Sequence, residues 1–195
     1  MKTKRIASVI LAVFMLLNVV VFSASAKTVD KAQTGNNIVE ITSYEQLRNY
    51  AKNAQGDLRY VLANDIEQND NTNDNEIVID SLSDFNLELN GYYIKRATSG
   101  NDMTLFHIRN GGHMRIMDSS ASQTGYCSFS EGYSTYHKSV FKNEGGELEI
   151  INGYYEIFSP FEQGDCCILR TTSGYTNIYG GTFDSSSAFG GDTIS

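Results

Sequence analysis

Leu148-Glu149-Ile150-Ile151-Asn152-Gly153-Tyr154-Tyr155 decides the fold, because Phe85-Asn86-Leu87-Glu88-Leu89-Asn90-Gly91-Tyr92-Tyr93 carries nearly the same pattern earlier in the chain. Two looser copies are Gly111-Gly112-His113-Met114-Arg115-Ile116-Met117-Asp118 and Ser173-Gly174-Tyr175-Thr176-Asn177-Ile178-Tyr179-Gly180-Gly181. Each copy is a short apolar/polar alternation closed by a turn of small residues. Period-two alternation puts one set of side chains on one face of a strand. Its return every few tens of residues is how stacked β-coils are written in sequence. Aligning Leu89, Ile116, Ile150 and Ile178 gives intervals of 27, 34 and 28 residues, one coil each. Leu87/Leu89, Met114/Ile116, Leu148/Ile150 and Thr176/Ile178 are expected inward, with Glu88, Arg115, Glu149 and Asn177 outward. Gly91, Gly112, Gly146, Gly153, Gly174 and Gly181 are expected at corners, where positive φ is needed. Asn90 and Asn152 are expected to stack as an internal amide ladder, and the Tyr-Tyr pairs after them likewise. Strands Leu105–Arg109, Val140–Lys142 and Ile168–Thr171 supply a second face.

Upstream, Ser43-Tyr44-Glu45-Gln46 reads as a capping box, followed by Leu47, Tyr50, Ala51 and Ala54 in one apolar helical stripe. The helix is predicted over 43–55, with Gly56 as its terminating glycine. A single helix cannot cross over every strand of a doubly wound sheet, so its expected role is to cover the open end of the stack. A strand is expected over Leu58–Ala63.

Outside the repeats, Lys2, Lys4 and Arg5, an apolar Ile6–Phe22 and the small residues Ser23-Ala24-Ser25-Ala26 form the three parts of a secretory signal peptide. The expected division is 1–26 signal peptide, 27–83 N-terminal cap and 84–195 coils. The formal charge is −8, and removing three basic leader residues takes it to −11. Nucleic acid is a poor partner for such a surface, and no membrane partner is expected once the leader is removed. Twelve Tyr and ten Phe give a core to bury, which excludes a disordered tail. Cys127, Cys166 and Cys167 show no metal spacing; they are expected as buried small hydrophobes, with one of the adjacent pair entering the core and a Cys127 bridge to a neighbouring coil as the alternative.

The helix, Tyr60-Val61-Leu62-Ala63-Asn64-Asp65-Ile66 and Leu87-Glu88-Leu89-Asn90-Gly91 together resemble the N-terminal cap and first rungs of secreted bacterial right-handed parallel β-helix proteins of the pectate-lyase-like superfamily. The resemblance covers residues 38–195. It implies an all-β solenoid with an N-terminal amphipathic capping helix, but no single activity, because this fold hosts lyases, hydrolases, epimerases, adhesins and phage spikes. The Asn-Thr-Asp, Asp-Asp, Gly-His-Gly and Arg-Ile-Lys elements of the hydrolases are absent, as is the Trp-Ile-Asp-His element of the lyases. No catalytic residue is therefore assigned. The chain ends without an evident terminal cap, so the expectation is an N-terminal portion of a longer protein.

Three groups of residues have the chemistry of a site. His107, Arg109, His113 and Arg115 form a cationic stripe in an acidic chain, suited to a carboxylated sugar, or else balancing nearby acids. Tyr126, Tyr133 and Tyr136 lie in a longer insertion and suit sugar stacking, or else packing over a loop. Asp70, Asp74 and Glu76 in the Asn/Asp run 68–76 are weak calcium candidates, since the EF-hand template fails there; no other cofactor is expected. The functional expectation is a secreted, non-catalytic surface protein for adhesion or glycan binding, its partner an extracellular polysaccharide or a host or bacterial surface glycan. The alternative is a polysaccharide lyase or glycoside hydrolase whose active site lies mainly beyond residue 195.

Overall fold

The alternation at Phe85/Leu87, Met114/Ile116 and Leu148/Ile150 becomes strand structure with all six side chains fully buried. The computed structural model describes residues 37–70, 75–98, 103–131, 137–158 and 166–186; the expected signal peptide lies outside them. In order the elements are β1 (Ile38–Ile41), α1 (Tyr44–Lys52), β2 (Arg59–Leu62), β3 (Ile66–Asp70), β4 (Ile77–Ile79), β5 (Asp84–Glu88), β6 (Tyr93–Thr98) and β7 (Met103–Arg109). Then come β8 (His113–Met117), β9 (Tyr126–Glu131), β10 (Lys138–Ile150), β11 (Tyr154–Phe158), β12 (Cys166–Ile178) and β13 (Thr182–Asp184).

Every strand pairing among the described residues is parallel. One sheet runs β3-β6-β9-β11-β13; the other runs β1-β2-β5-β8-β10-β7-β4, with β12 also on β10. The long strands explain the second order. The first part of β10 pairs with β7 and its last part with β8, so β10 turns from one row of strands into another. Successive passages therefore repeat three rows: β5, β6, β7; then β8, β9 and the start of β10; then the end of β10, β11 and the start of β12. The protein is mostly β, of parallel strands in curled sheets compatible with a parallel β-solenoid.

The turn within β10 depends on glycine. Gly145 takes a φ of +94°, and a Cβ on Gly146 would lie 2.5 Å from the Gly112 carbonyl oxygen. Of the predicted corner glycines, Gly112 and Gly146 are thus required by close backbone approach, not by positive φ; their predecessors Gly111 and Gly145 adopt it.

Between the sheets runs one apolar core. Phe106 stacks on Phe141 at 5.4 Å, Phe141 meets Tyr155 at 5.1 Å, and Tyr155 meets Phe183 at 5.4 Å, an aromatic column crossing four passages. Burying each such ring contributes about 1.5–3 kcal/mol. The three cysteines are free and buried, which overturns the Cys127 bridge. Desolvation pushes the Cys127 thiol far up. Both Cys166 and Cys167 are buried, and only Cys166 joins the continuous apolar core, as expected of adjacent residues on a strand.

α1 packs mainly on β4, burying Leu47 and Ala51. The Ser43 hydroxyl accepts from Gln46 N at 3.2 Å, while the Gln46 side chain reaches past Ser43 to accept from Thr42 N at 2.8 Å. The helix stops at Lys52, with Asn53 as its cap, earlier than Gly56 suggested. Gly56 serves a different need: any Cβ there would collide with the Asp84 carboxylate. No helix among the described residues is long and apolar enough to cross a membrane.

Several details of the repeat differ from expectation, and two of them are that Ile178, expected inward, is exposed and that Glu88, expected outward, is buried. Leu87, not Leu89, faces Ile116, which faces Ile150 and then Ile178. The corner from Leu87 to Tyr93 is longer by two residues than that from Ile150 to Tyr154, and a shift of two preserves which side faces in. Nor do Asn90 and Asn152 stack, because Asp118 stands in the passage between them. Asn152 brackets Asp118, accepting from its N–H at 2.7 Å and donating to its carbonyl at 2.9 Å. Asn90 instead donates to Leu62 O at 3.2 Å. Each amide ties its corner to the previous passage.

Candidate functional site

Strand alternation leaves His107 and Arg109 on the outward side of β7, and His113 and Arg115 on that of β8. The tight corner at 110–112 separates them, so the stripe falls into two pairs on two rows. Each of its cations meets carboxylates from neighbouring passages. His107, 8% exposed, lies between Glu76 (Nδ1 to Oε2, 3.0 Å) and Glu144 (Nε2 to Oε2, 2.7 Å). The Glu76 hydrogen bond outweighs desolvation and raises the His107 pKa. Glu144, which also accepts from Lys142 at 2.8 Å, is held below the ordinary carboxylate range by Lys142 and then His107. Arg109 donates to Asp80 at 3.1 Å, and Arg115 lies 3.8 Å from Glu149. Such pairing leaves little cationic capacity for a carboxylated ligand.

Of the calcium candidates, only the Glu76 side chain lies among the described residues. Glu76 spends one oxygen on Thr104 N at 3.1 Å and the other on His107. Asp74 and the Asp70 side chain lie outside the described residues. So do Tyr133 and Tyr136.

Tyr126 opens β9 on the outward side of the five-stranded sheet, in register with Tyr93 and Tyr154. Tyr93 and Tyr126 stack at 5.0 Å, and Tyr126 meets Tyr154 edge-on at 6.4 Å. The Tyr-Tyr pairs after the two Asn-Gly corners therefore do not stack on each other; Tyr126 lies between Tyr93 and Tyr154 in a three-ring ladder. Two residues further along each strand lies a polar row, Lys95, Ser128, Glu156 and Asp184. Lys95 Nζ sits 4.6 Å from the Tyr93 ring centroid and 5.3 Å from that of Tyr126. The neighbouring Tyr126 hydroxyl raises the ammonium pKa. Tyr93 donates to Glu67 at 2.7 Å and Tyr154 to Asp184 at 2.8 Å. The Asp184 bond leads in pushing Tyr154 up to about 12. Asp184 is held low, first by its bonds from Ser186.

Beside this ladder runs a groove of about 290 Å³ lined by Lys95, Ser128, Ser130, Glu156, Phe158 and Asp184. Two serines, two carboxylates, one lysine and the half-exposed Phe158 are among its lining residues. Such a surface offers acceptors for hydroxyl or ammonium groups, one Lys donor and an apolar face. It has no proton donor tuned near neutrality among Tyr154 and Asp184, since one is pushed up and the other down.

Sequence reasoning found Tyr126 and missed its partners as a site. The signal was present: Gly125-Tyr126 and Gly153-Tyr154 mark the same corner, with Gly91-Tyr92-Tyr93 one residue longer. It also missed that His113, Glu147 and Glu149 present one nitrogen and two carboxylate oxygens within 4.8 Å of one another. Compared with protein-family models, curated proteins and solved structures, the chain matches none.

Proposed function

We propose that this chain is a secreted right-handed parallel β-helix whose five-stranded face binds an extracellular glycan without cleaving it. Secretion rests on the leader pattern at 1–26, and the handedness on the strong preference of parallel crossovers. The observation that carries the binding reading is the Tyr93–Tyr126–Tyr154 ladder running beside a groove with polar groups at strand spacing. Ligand sites combine an apolar or aromatic surface with a few placed polar groups, and tyrosine offers both in one side chain. Glu156 and Asp184 on the groove wall favour neutral or amino sugars over uronates, whose carboxylates they repel.

Affinity electrophoresis through neutral, amino-sugar and uronate polysaccharides tests this. Retention is expected in the first two, with a drop of about tenfold in Tyr126→Ala, equivalent to about 1.4 kcal/mol, and a further drop in Glu156→Gln. Preferential retention by uronates, or retention indifferent to both substitutions, sinks the reading. The hydrolase alternative draws on one feature, since Glu156 and Asp184 are register partners on adjacent strands and present two neighbouring carboxylates, the residue types that glycoside hydrolysis uses. Reducing-end release that vanishes in Glu156→Gln would favour it.

A further inference from the structure

We propose that His113, Glu147 and Glu149 form a binding site for one first-row transition-metal dication of zinc-like ligand preference, on a different row of strands from the tyrosine ladder. Parallel pairing sets His113 opposite Glu147, and alternation puts Glu149 on the same outward side two residues on. The three donor atoms lie within 4.8 Å of one another. Donors around such an ion, bonded at about 2.0–2.2 Å, stand about 3–4 Å apart, so side-chain rotation alone closes the set.

The orientation of His113 comes from outside the trio. Asp84 on β5 accepts from Nδ1 at 2.7 Å, which places the proton on Nδ1 in the neutral ring and turns the Nε2 lone pair toward the two glutamates. Nε2 is 4.0 Å from the Glu149 carboxylate, beyond hydrogen-bonding distance, leaving a gap bounded by one lone pair and two anions. A carboxylate behind a ligating histidine fixes the ring and raises its basicity as a ligand. Asp84, Glu147 and Glu149 outnumber the single guanidinium of Arg115, which lies 3.8 Å from Glu149 and competes for it. The Tyr179 hydroxyl, 3.4 Å from the other Glu149 oxygen, bounds the site on the β12 side. One imidazole nitrogen with two carboxylates selects zinc, cobalt or nickel over calcium and magnesium, which prefer all-oxygen sets.

Equilibrium dialysis of the chelator-stripped full chain against Zn2+, with Co2+ visible absorption as a second readout, tests the site. One ion per chain is expected, undisturbed by excess Ca2+. His113→Gln and, independently, Glu147→Gln should each abolish the stoichiometric site while leaving the melting temperature of the metal-free chain close to the parent's. Asp84→Asn should weaken binding about tenfold through ring orientation alone, and Arg115→Ala should tighten it. The proposal is overturned by no uptake at millimolar Zn2+, by full displacement with equimolar Ca2+, or by uptake unchanged in both His113→Gln and Glu147→Gln. Because the ladder lies on another sheet, glycan retention should survive these substitutions, so either proposal can fail alone.

Discussion

On the rows of β7, β8 and β10, charged side chains look sideways to the next passage: His107 to Glu76 and Glu144, Arg109 to Asp80, Arg115 to Glu149. On the row of β6, β9, β11 and β13, tyrosines stack in register and leave a polar strip beside them that frames a groove. Both surfaces come from the same alternation. They differ in what register supplies as the neighbour one passage away. Where a cation finds a carboxylate, the two pair off; where a tyrosine finds a tyrosine, the rings stack and the outer hydroxyls turn to carboxylates beside the groove. A residue's type therefore does not decide whether it serves a ligand or the scaffold.

The largest effect should come from the corner where one surface turns into the other. Asp118 is fully buried and accepts from the backbone N–H groups of Gly91, Ser120 and Gly125 at 3.0, 3.1 and 2.7 Å. Asp118→Ala orphans one buried and two part-buried donors and should cost about 3 kcal/mol in urea unfolding. A loss under about 1 kcal/mol would mean that the two surfaces do not share this joint.

A middling effect is expected at His107. Its folded pKa lies above the ordinary 6.5, so its stabilisation is complete below that value and is lost as pH rises through the folded pKa. Glu144, lowered from 4.5, contributes above that value and loses its contribution as pH falls through the folded pKa. The cluster is thus strongest between about 4.5 and 6.5. Melting temperatures of parent and His107→Gln should differ most there and converge at alkaline pH; a gap that widens with rising pH would reverse the assignment.

Arg109→Ala should change least, within about 1 kcal/mol, because its half-exposed pair with Asp80 is screened. Added salt should shrink even that. Retention on acidic glycans should be unaltered. A clear loss would turn the charge-paired surface back into a binding face.

Much of this was legible in the chain itself. Alternation at Phe85/Leu87, Met114/Ile116 and Leu148/Ile150 identified inward residues, since a strand has only two sides. The capping residues Ser43 and Gln46 located the helix start, because cap chemistry is local. Corner lengths were not legible: Asn-Gly recurs at Asn90 and Asn152, yet different spans separate it from its strand, so Leu89 was set where Leu87 belongs. Local sequence determined which residues point in, where the chain turns and that strands stack. Only the tertiary structure decided which residue sits one passage above another, that Asp118 parts the two asparagines, that His107 lies between two glutamates, and that Tyr126 joins Tyr93 and Tyr154. Those neighbours are about thirty residues apart along the chain, and their meeting depends on the summed length of every strand and corner between them.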